Sequence, residues 1–301
     1  MELTVLSYNV LARVWTNYPY YYHTPAHLNY GARPWRHVPL HLEPPEAERD
    51  RHAMAVEEIL ASNAHVACLQ EVDDAFTLAM TPAFHARYHV VTHAAAAYPR
   101  AGVLLHKDTF SPCGPAVFLT DGTASPACTD EWEGHALVVP VVACGARAPM
   151  RLWVVAVHLN GDREAAWAQA RLLQRVQRVI GRRCMRVVLA GDFNANAARA
   201  DALCARLSLS RVPAPAGTCT YWAPEFLFPL RTSHHTGDHV PQIPIDFIFH
   251  SSAAFTPIAP LTVAPLADPW RLHPRTHAVS VHSASDHCML LARLAPRPPF
   301  S

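Results

Sequence analysis

The stretch Val187-Val188-Leu189-Ala190-Gly191-Asp192-Phe193-Asn194 constrains the fold more than any other. Its four apolar residues make a buried strand, and Gly191 lets the backbone turn. A carboxylate and a carboxamide then emerge two residues apart. Two is the side-chain period of a strand, so Asp192 and Asn194 are expected to point into one cleft. Asp and Asn also favour turns, so in isolation the same stretch also reads as a plain turn. The rest of the chain decides between the two.

The same device recurs elsewhere. Leu3-Thr4-Val5-Leu6-Ser7-Tyr8-Asn9-Val10 delivers Asn9, and Val66-Ala67-Cys68-Leu69-Gln70-Glu71-Val72 delivers Gln70 and Glu71. Leu152 to Asn160 delivers His158 and Asn160, Ile245-Asp246-Phe247-Ile248-Phe249 delivers Asp246, and Ser285-Asp286-His287-Cys288-Met289-Leu290 delivers Asp286 and His287. A charged group at the edge of an apolar strand carries a desolvation cost unless it is paired or ligates a cation. Glu71, Asp246 and Asp286 beside Asp192 therefore suggest one hard-metal site, because Mg²⁺ takes oxygen ligands and few of them from protein.

Taken in order, Asn9, Gln70-Glu71, His158, Gly191-Asp192-Phe193-Asn194, Asp246 and Ser285-Asp286-His287 resemble the motif set of the endonuclease/exonuclease/phosphatase superfamily, the DNase I-like enzymes. The resemblance runs from about Leu3 to Leu294. Each motif alone is weak, and a Ser-Asp-His triplet arises often by chance. Six in the right order, each at the end of an apolar strand pattern, carry the resemblance.

Composition agrees with a large core. The chain has 301 residues, half of them apolar, and an α/β chain of this length is expected to form one domain, here residues 1–301. A net charge of +1 exerts no global pull toward nucleic acid or membrane, so a phosphate-binding surface has to be local. Lys107 is the only lysine, and the abundance of Ala, Arg, Pro and His reads mainly as genome composition. The eight cysteines are scattered, Cys68 and Cys288 within strand patterns, with no Cys-x-x-Cys pair to suggest zinc. That usage fits reduced thiols in an intracellular protein, cytoplasmic or nuclear. No apolar run approaches the roughly 18 residues of a membrane span, and Met1 leads almost directly into the first strand, so neither a membrane segment nor a signal peptide is expected.

Strand patterns fall near Leu3–Leu11, His65–Gln70, Tyr88–His93, Val103–Lys107, Ala136–Cys144, Leu152–His158, Arg186–Gly191, Ile245–His250, Ala278–His282 and Cys288–Leu294. Two helices are predicted. One runs Glu46–Ser62 with Val56, Ile59 and Leu60 on one face. The other runs Arg163–Gly181 with an Ala166/Ala170/Leu173/Val176/Ile180 stripe, an outer face of Arg171, Arg175, Arg178 and Arg182, and Gly181 as the stop. Many strands and few helices fit two packed mixed β-sheets with helices outside, a four-layer α/β/β/α sandwich. Two long irregular stretches, Arg13–Pro45 and Arg211–Pro244, adjoin catalytic strands and are expected to bind substrate. In the first, Trp15, Tyr18–Tyr22 and Trp35 read either as a base-stacking surface or as packing for the loop. In the second, His234, His235 and His239 read as solvated side chains before zinc ligands.

Within the superfamily, Ser7-Tyr8-Asn9-Val10-Leu11-Ala12, the long insert, Arg49 and Arg51 before Leu69-Gln70-Glu71-Val72, and His158-Leu159 followed by Gln169-Ala170-Arg171-Leu172-Leu173 look like the deadenylase-like branch, which includes nocturnin and the Angel proteins. The match breaks at Tyr221-Trp222-Ala223-Pro224-Glu225-Phe226 and the His-rich run Arg231–Gln242, which weakens a preference for adenine. The resemblance implies that Glu71 is the principal Mg²⁺ ligand (Mn²⁺ can substitute), with Asn9 and Asp286 completing or orienting the site. It makes Asp192 the general base on water and Asn194 a stabiliser of the charged phosphorane-like state. His158 and His287 then donate to phosphate oxygens, Asp246 orients His287, and Asn160, Arg49, Arg51, Tyr221 and Trp222 bind substrate. The implied activity is Mg²⁺-dependent 3′-to-5′ hydrolysis of single-stranded RNA such as poly(A). The alternatives are a phosphatase or phosphodiesterase for a small nucleotide or RNA end, and a DNase I-like endonuclease.

Overall fold

Two mixed β-sheets of seven strands each pack face to face in the computed structural model. It describes residues 2–10, 45–93, 100–122, 134–144, 150–160, 166–181, 186–218, 220, 244–264, 270–272, 279–281, 285 and 287–297. The chain first lays down β1 (Leu3–Asn9), β2 (Val66–Val72), β3 (Tyr88–Thr92) and β4 (Arg100–His106). It then builds the second sheet from β5 (Phe110–Pro112), β6 (Val117–Thr120), β7 (His135–Ala143), β8 (Arg151–His158), β9 (Val187–Asp192), β10 (Leu209–Arg211) and β11 (Asp246–Ser251). The first sheet is completed by β12 (Phe255–Pro257), β13 (Thr262–Val263) and β16 (Leu290–Pro296), with β14 (Trp270–Leu272) and β15 (Val279–Val281) paired to each other between them. Helices α1 (Pro45–Ser62), α2 (Asp74–Ala79) and α3 (Pro82–Arg87) precede β3 in the chain, whereas α4 (Ala166–Ile180) and α5 (Ala197–Ala205) flank β9 in sequence.

Strand alternation sorts the apolar residues into three cores. Val5, Val66, Cys68 and Val103 of the first sheet meet Leu137, Val139, Val154, Ala156, Val188 and Ala190 of the second. The neighbours Leu6, Tyr8, Ala67 and Leu69 face outward onto Val56, Ile59, Phe76 and Phe84 of α1–α3. Val155, Val157 and Leu189 face outward onto Leu172, Leu173 and Val176 of α4 and Leu203 of α5. Layers in the order helix, sheet, sheet, helix follow directly. With each buried Val or Leu side chain contributing about 1.5–3 kcal/mol of transfer free energy, these cores dominate stability.

Several elements differ from the sequence reading. The short helices α2, α3 and α5 lack the long apolar period that marks a helix in sequence, and side-chain caps hold their first turns: Asp73 accepts from Phe76 N, Thr81 from Phe84 N and Asn196 from Arg199 N. The buried stripe of α4 is Ala168, Gln169, Leu172, Leu173, Val176 and Ile180, and Ala166 is exposed. Arg175, expected on the outer face, is partly buried and donates to the Thr120 carbonyl at 2.6 Å. Gly181 does end α4, with φ +76. Cys68 and Cys288 are buried, and burial pushes the Cys68 thiol up to about 12. Among the described residues no helix is long and apolar enough to cross a membrane.

Candidate active site

One register row crosses the second sheet. Thr120 pairs with His135, His135 with His158, His158 with Asp192, and Asp192 with Asp246. Directly opposed residues put their side chains on one face, so three of the polar groups singled out in the sequence lie side by side by pairing alone. Two backbone features make the row fit. Gly191 has φ +153, and a Cβ there would lie 1.9 Å from the Val157 carbonyl oxygen, so the parallel β8–β9 pair admits only glycine at this position. Beyond Asp192 the chain turns at Asn194, whose φ is +47. The Asn194 amide nitrogen donates to Asp192 Oδ1 at 2.8 Å, an Asx turn. Asp192 thus reaches the site from the strand row, whereas Asn194 reaches it by a turn and not by the strand alternation that the two-residue spacing had suggested.

The first sheet supplies the facing groups. β1 pairs in parallel with β2, setting Asn9 beside Gln70. Between Leu69 and Val72 the pairing of β2 with β4 shifts register, and Glu71 inside that irregularity has φ +59. A bulge of this kind re-aims a side chain at the cost of local strain. Its effect is to bring Glu71 to Asn9: the Asn9 amide donates to Glu71 Oε1 at 2.8 Å and to Asp192 Oδ2 at 3.3 Å, and lies 3.4 Å from His287 Nε2. Asn9 therefore bridges carboxylates from both sheets. His158 Nε2 lies 3.5 Å from Asp192 Oδ2 and 3.8 Å from Glu71 Oε1, and His287 Nε2 lies 3.8 Å from Asp192 Oδ2. His287 Nδ1 pairs with Asp246 Oδ2 at 2.9 Å.

All of these groups are buried. Burial alone would push the Asp192 carboxyl up, but His158, His287 and the Asn194 amide together hold it below the ordinary carboxylate value. Burial raises Asp246 above its usual value, against the pull of His287, with the neighbouring Asp192 charge adding to the rise. The two carboxylates are thus driven apart, one held ionised and one serving the imidazole, a difference environment alone can create.

Asp192, Asp246 and His287 offer ligand atoms within 4.8 Å of one another. Asp246 Oδ2 already engages His287, so these three make a hydrogen-bonded relay before they make an open coordination set. Glu71, at the mouth with 7 % exposure and beside the Asn9 amide, adds a hard oxygen donor of the kind a divalent cation requires, and the residues fit such an ion.

The remaining expected residues divide. Asn194 Nδ2 donates to the Leu159 carbonyl at 3.0 Å, at the edge of the site. Asn160 follows β8 and is buried; its carbonyl accepts from Gln169 Nε2 at 2.6 Å. Arg51, expected at the substrate, is instead buried at 1 % exposure and donates to the Val10 carbonyl at 3.0 Å, so it ties α1 to the strand end that carries Asn9. Arg49 is exposed on the same helix. Asp286, Tyr221, Trp222, the aromatic run 18–22, Trp15, Trp35 and the histidines at 234, 235 and 239 lie outside the described residues.

Three supporting residues escaped the sequence reading or its role assignments. Thr220 Oγ1 accepts from the backbone nitrogens of Ile245 and Asp246 at 2.9 and 3.1 Å, and its carbonyl accepts from Cys288 N, so it joins the Asp246 and His287 segments. Ser285 Oγ accepts from His287 N at 3.0 Å. Gln169 also donates to the Phe193 carbonyl at 3.3 Å, clamping the loops after β8 and β9. A buried glutamine on the apolar face of an amphipathic helix is the one signal of the three legible beforehand.

Similarity to known proteins follows this geometry. A TDP2 from D. rerio complexed with single-strand DNA product superimposes with a TM-score of 0.61 at 16 % identity, covering 98 % of this chain and 99 % of that one. The human nocturnin catalytic domain gives 0.62 at 15 %, covering 98 % and 95 %. A mannosyl-6-phosphatase from Bacteroides thetaiotaomicron gives 0.63 at 13 %, covering 97 % and 99 %. No curated protein matches the chain. At such identities the superpositions establish a common fold, but the sequence model described as the Endonuclease/Exonuclease/phosphatase family matches residues 6–287, and the chain with its two-sheet site belongs to that family.

Proposed function

We propose that residues 1–301 form one catalytic domain that hydrolyses phosphodiesters with a divalent cation, Mg²⁺ first and Mn²⁺ as substitute, and that its substrate is the 3′ end of single-stranded RNA. The observation that carries the reading is the Asn9 amide between Glu71 and Asp192, with His158 and His287 both turned toward Asp192. Asp192, held ionised, takes the proton from an attacking water as general base. His287, whose Nδ1–H is held by Asp246, presents Nε2 to a phosphate oxygen, and His158 presents its Nε2 beside it. Asn194 stands next to them to stabilise the developing charge. Glu71, with Asn9 and Asp286, would hold the cation, which would supply charge neutralisation at the phosphate when bound.

RNA is favoured by the deadenylase-like motifs around Asn9 and Glu71 and by the likeness in fold to nocturnin. A small phosphate ester remains the second reading, supported by the equal likeness to a sugar phosphatase. Labelled oligo(A), oligo(dA), oligo(U) and NADPH, each offered with Mg²⁺, separate the two. Stepwise release of 5′-mononucleotides from the 3′ end of oligo(A), faster than from oligo(dA), is the expected outcome. Phosphate release from NADPH with no action on oligo(A), or internal cuts in duplex DNA, would replace it.

A further inference from the structure

Helix α1 departs from an amphipathic pattern at its start. Its buried side carries Glu48, Arg51 and His52 before Ala55, Val56 and Ile59 continue it in apolar residues. Arg51 donates to the Val10 carbonyl. Glu48 and His52 are four residues apart, so they share one face of the helix. The half-buried Asp73 meets them from the turn after β2, and one ligand atom from each of the three lies within 4.8 Å of the others. Two contacts with Phe76 hold the arrangement. Asp73 Oδ1 accepts from Phe76 N at 2.7 Å, which fixes the carboxylate, and the His52 ring meets the Phe76 ring edge to face at 5.5 Å and 89°. Phe76 belongs to the core that α1–α3 form on the outer side of the first sheet. The cluster therefore lies behind that sheet and shares no residue with the groups around Asp192.

Two carboxylates this close repel one another, and taking them out of water adds a cost that a doubly charged ion offsets directly. The donor set is two carboxylate oxygens and one imidazole nitrogen. Mg²⁺ favours oxygen alone, whereas imidazole with carboxylate suits Zn²⁺ and its transition-metal neighbours. We propose that Glu48, His52 and Asp73 form a second divalent-cation site, for an ion such as Zn²⁺ in preference to Mg²⁺, with water completing the coordination. Asp73 follows Glu71 by two residues, and Arg51 on the first turns of α1 holds the carbonyl of the residue after Asn9. An ion here would tie α1 to the turn that leaves Glu71, beside the strand end that carries Asn9. Nothing in this second site depends on the reaction catalysed between the sheets.

Calorimetric titration of the EDTA-stripped protein with Zn²⁺, in excess Mg²⁺, tests the site without turnover. One tight equivalent is expected to bind and to raise the melting temperature. His52→Gln and Asp73→Asn should each weaken Zn²⁺ binding about ten-fold or more, since a disturbed ligand partner alone costs that much. Asp73→Asn removes the charge but keeps a side chain able to cap α2, so it carries the comparison if His52→Gln does not fold. Glu71→Ala should bind Zn²⁺ as the parent does. An absence of stoichiometric binding in the parent, or affinity unchanged in Asp73→Asn, overturns the site and leaves a metal-free polar cluster. Binding lost in Glu71→Ala also overturns it, by placing the Zn²⁺ at the catalytic centre.

Discussion

Asp192 is 2 % exposed, yet two imidazoles and an amide hold its carboxyl on the ionised side. Asp192→Asn preserves shape and hydrogen-bonding length but cannot accept a proton. Turnover is expected to fall roughly 10²–10⁴-fold with substrate affinity kept or improved, as steady-state kinetics and product binding would reveal. A loss of affinity of the same size would assign Asp192 to the fold or the cation instead. Glu71 supports a different comparison, because its φ of +59 is a conformation most side chains resist. Glu71→Ala and Glu71→Gly should both be inactive, but the glycine variant should melt at the higher temperature, since only glycine adopts that backbone without strain. Equal melting temperatures would mean that the bulge carries no strain.

At the scale of elements, the parallel contact of β8 with β9 fixes the register row, and Gly191→Ala tests it directly. A Cβ 1.9 Å from the Val157 oxygen forces the two strands apart, and the expected cost lies near the upper end of single substitutions, about 3–5 kcal/mol by denaturant unfolding. A second element-level test concerns His65, immediately before β2, whose Nδ1 accepts from Thr4 N at 3.0 Å. Burial lowers its pKa below 6.5, the nearby His106 lowers it further, and Glu2 opposes both. A folded value below the unfolded one means that the unfolded chain binds the proton more readily. The contribution is present above about pH 6.5 and is lost as pH falls from there toward the folded value. Melting temperature should drop on acidification through this window, and the drop should shrink in His65→Gln. Sequence patterning made the strand ends legible, because apolar runs that stop at Asn9, Glu71, His158 and Asp192 need only a period of two. It could not show which strands pair, so the row joining His158, Asp192 and Asp246 was invisible. Arg51 and Arg175 illustrate the same limit: charge suggested solvent or substrate, while tertiary packing turned each onto a backbone carbonyl.

For the molecule as a whole, the sandwich was legible because apolar alternation on many strands, with only two long amphipathic helices, leaves few layered solutions. Its site gathers carboxylates from both sheets, so cation binding should be felt as global stability. Mg²⁺ is expected to raise the melting temperature of the parent protein, and EDTA to reverse the rise and abolish activity. Glu71→Ala should show no such rise. A shift retained in Glu71→Ala would place the ion elsewhere, at Asp192, Asp246 and His287. One further consequence follows from the pairing of β1 with β16, where Leu3 lies opposite Leu294. β1 thus has as its neighbour a strand nearly 290 residues later in sequence, and Asn9 meets His287 across that seam. A fragment that ends before His287 lacks one of the groups beside Asp192, so it cannot assemble the complete site. Contacts this distant in sequence also slow folding. In a refolding experiment, catalytic activity should return only with the slowest phase, after most of the secondary structure has been regained.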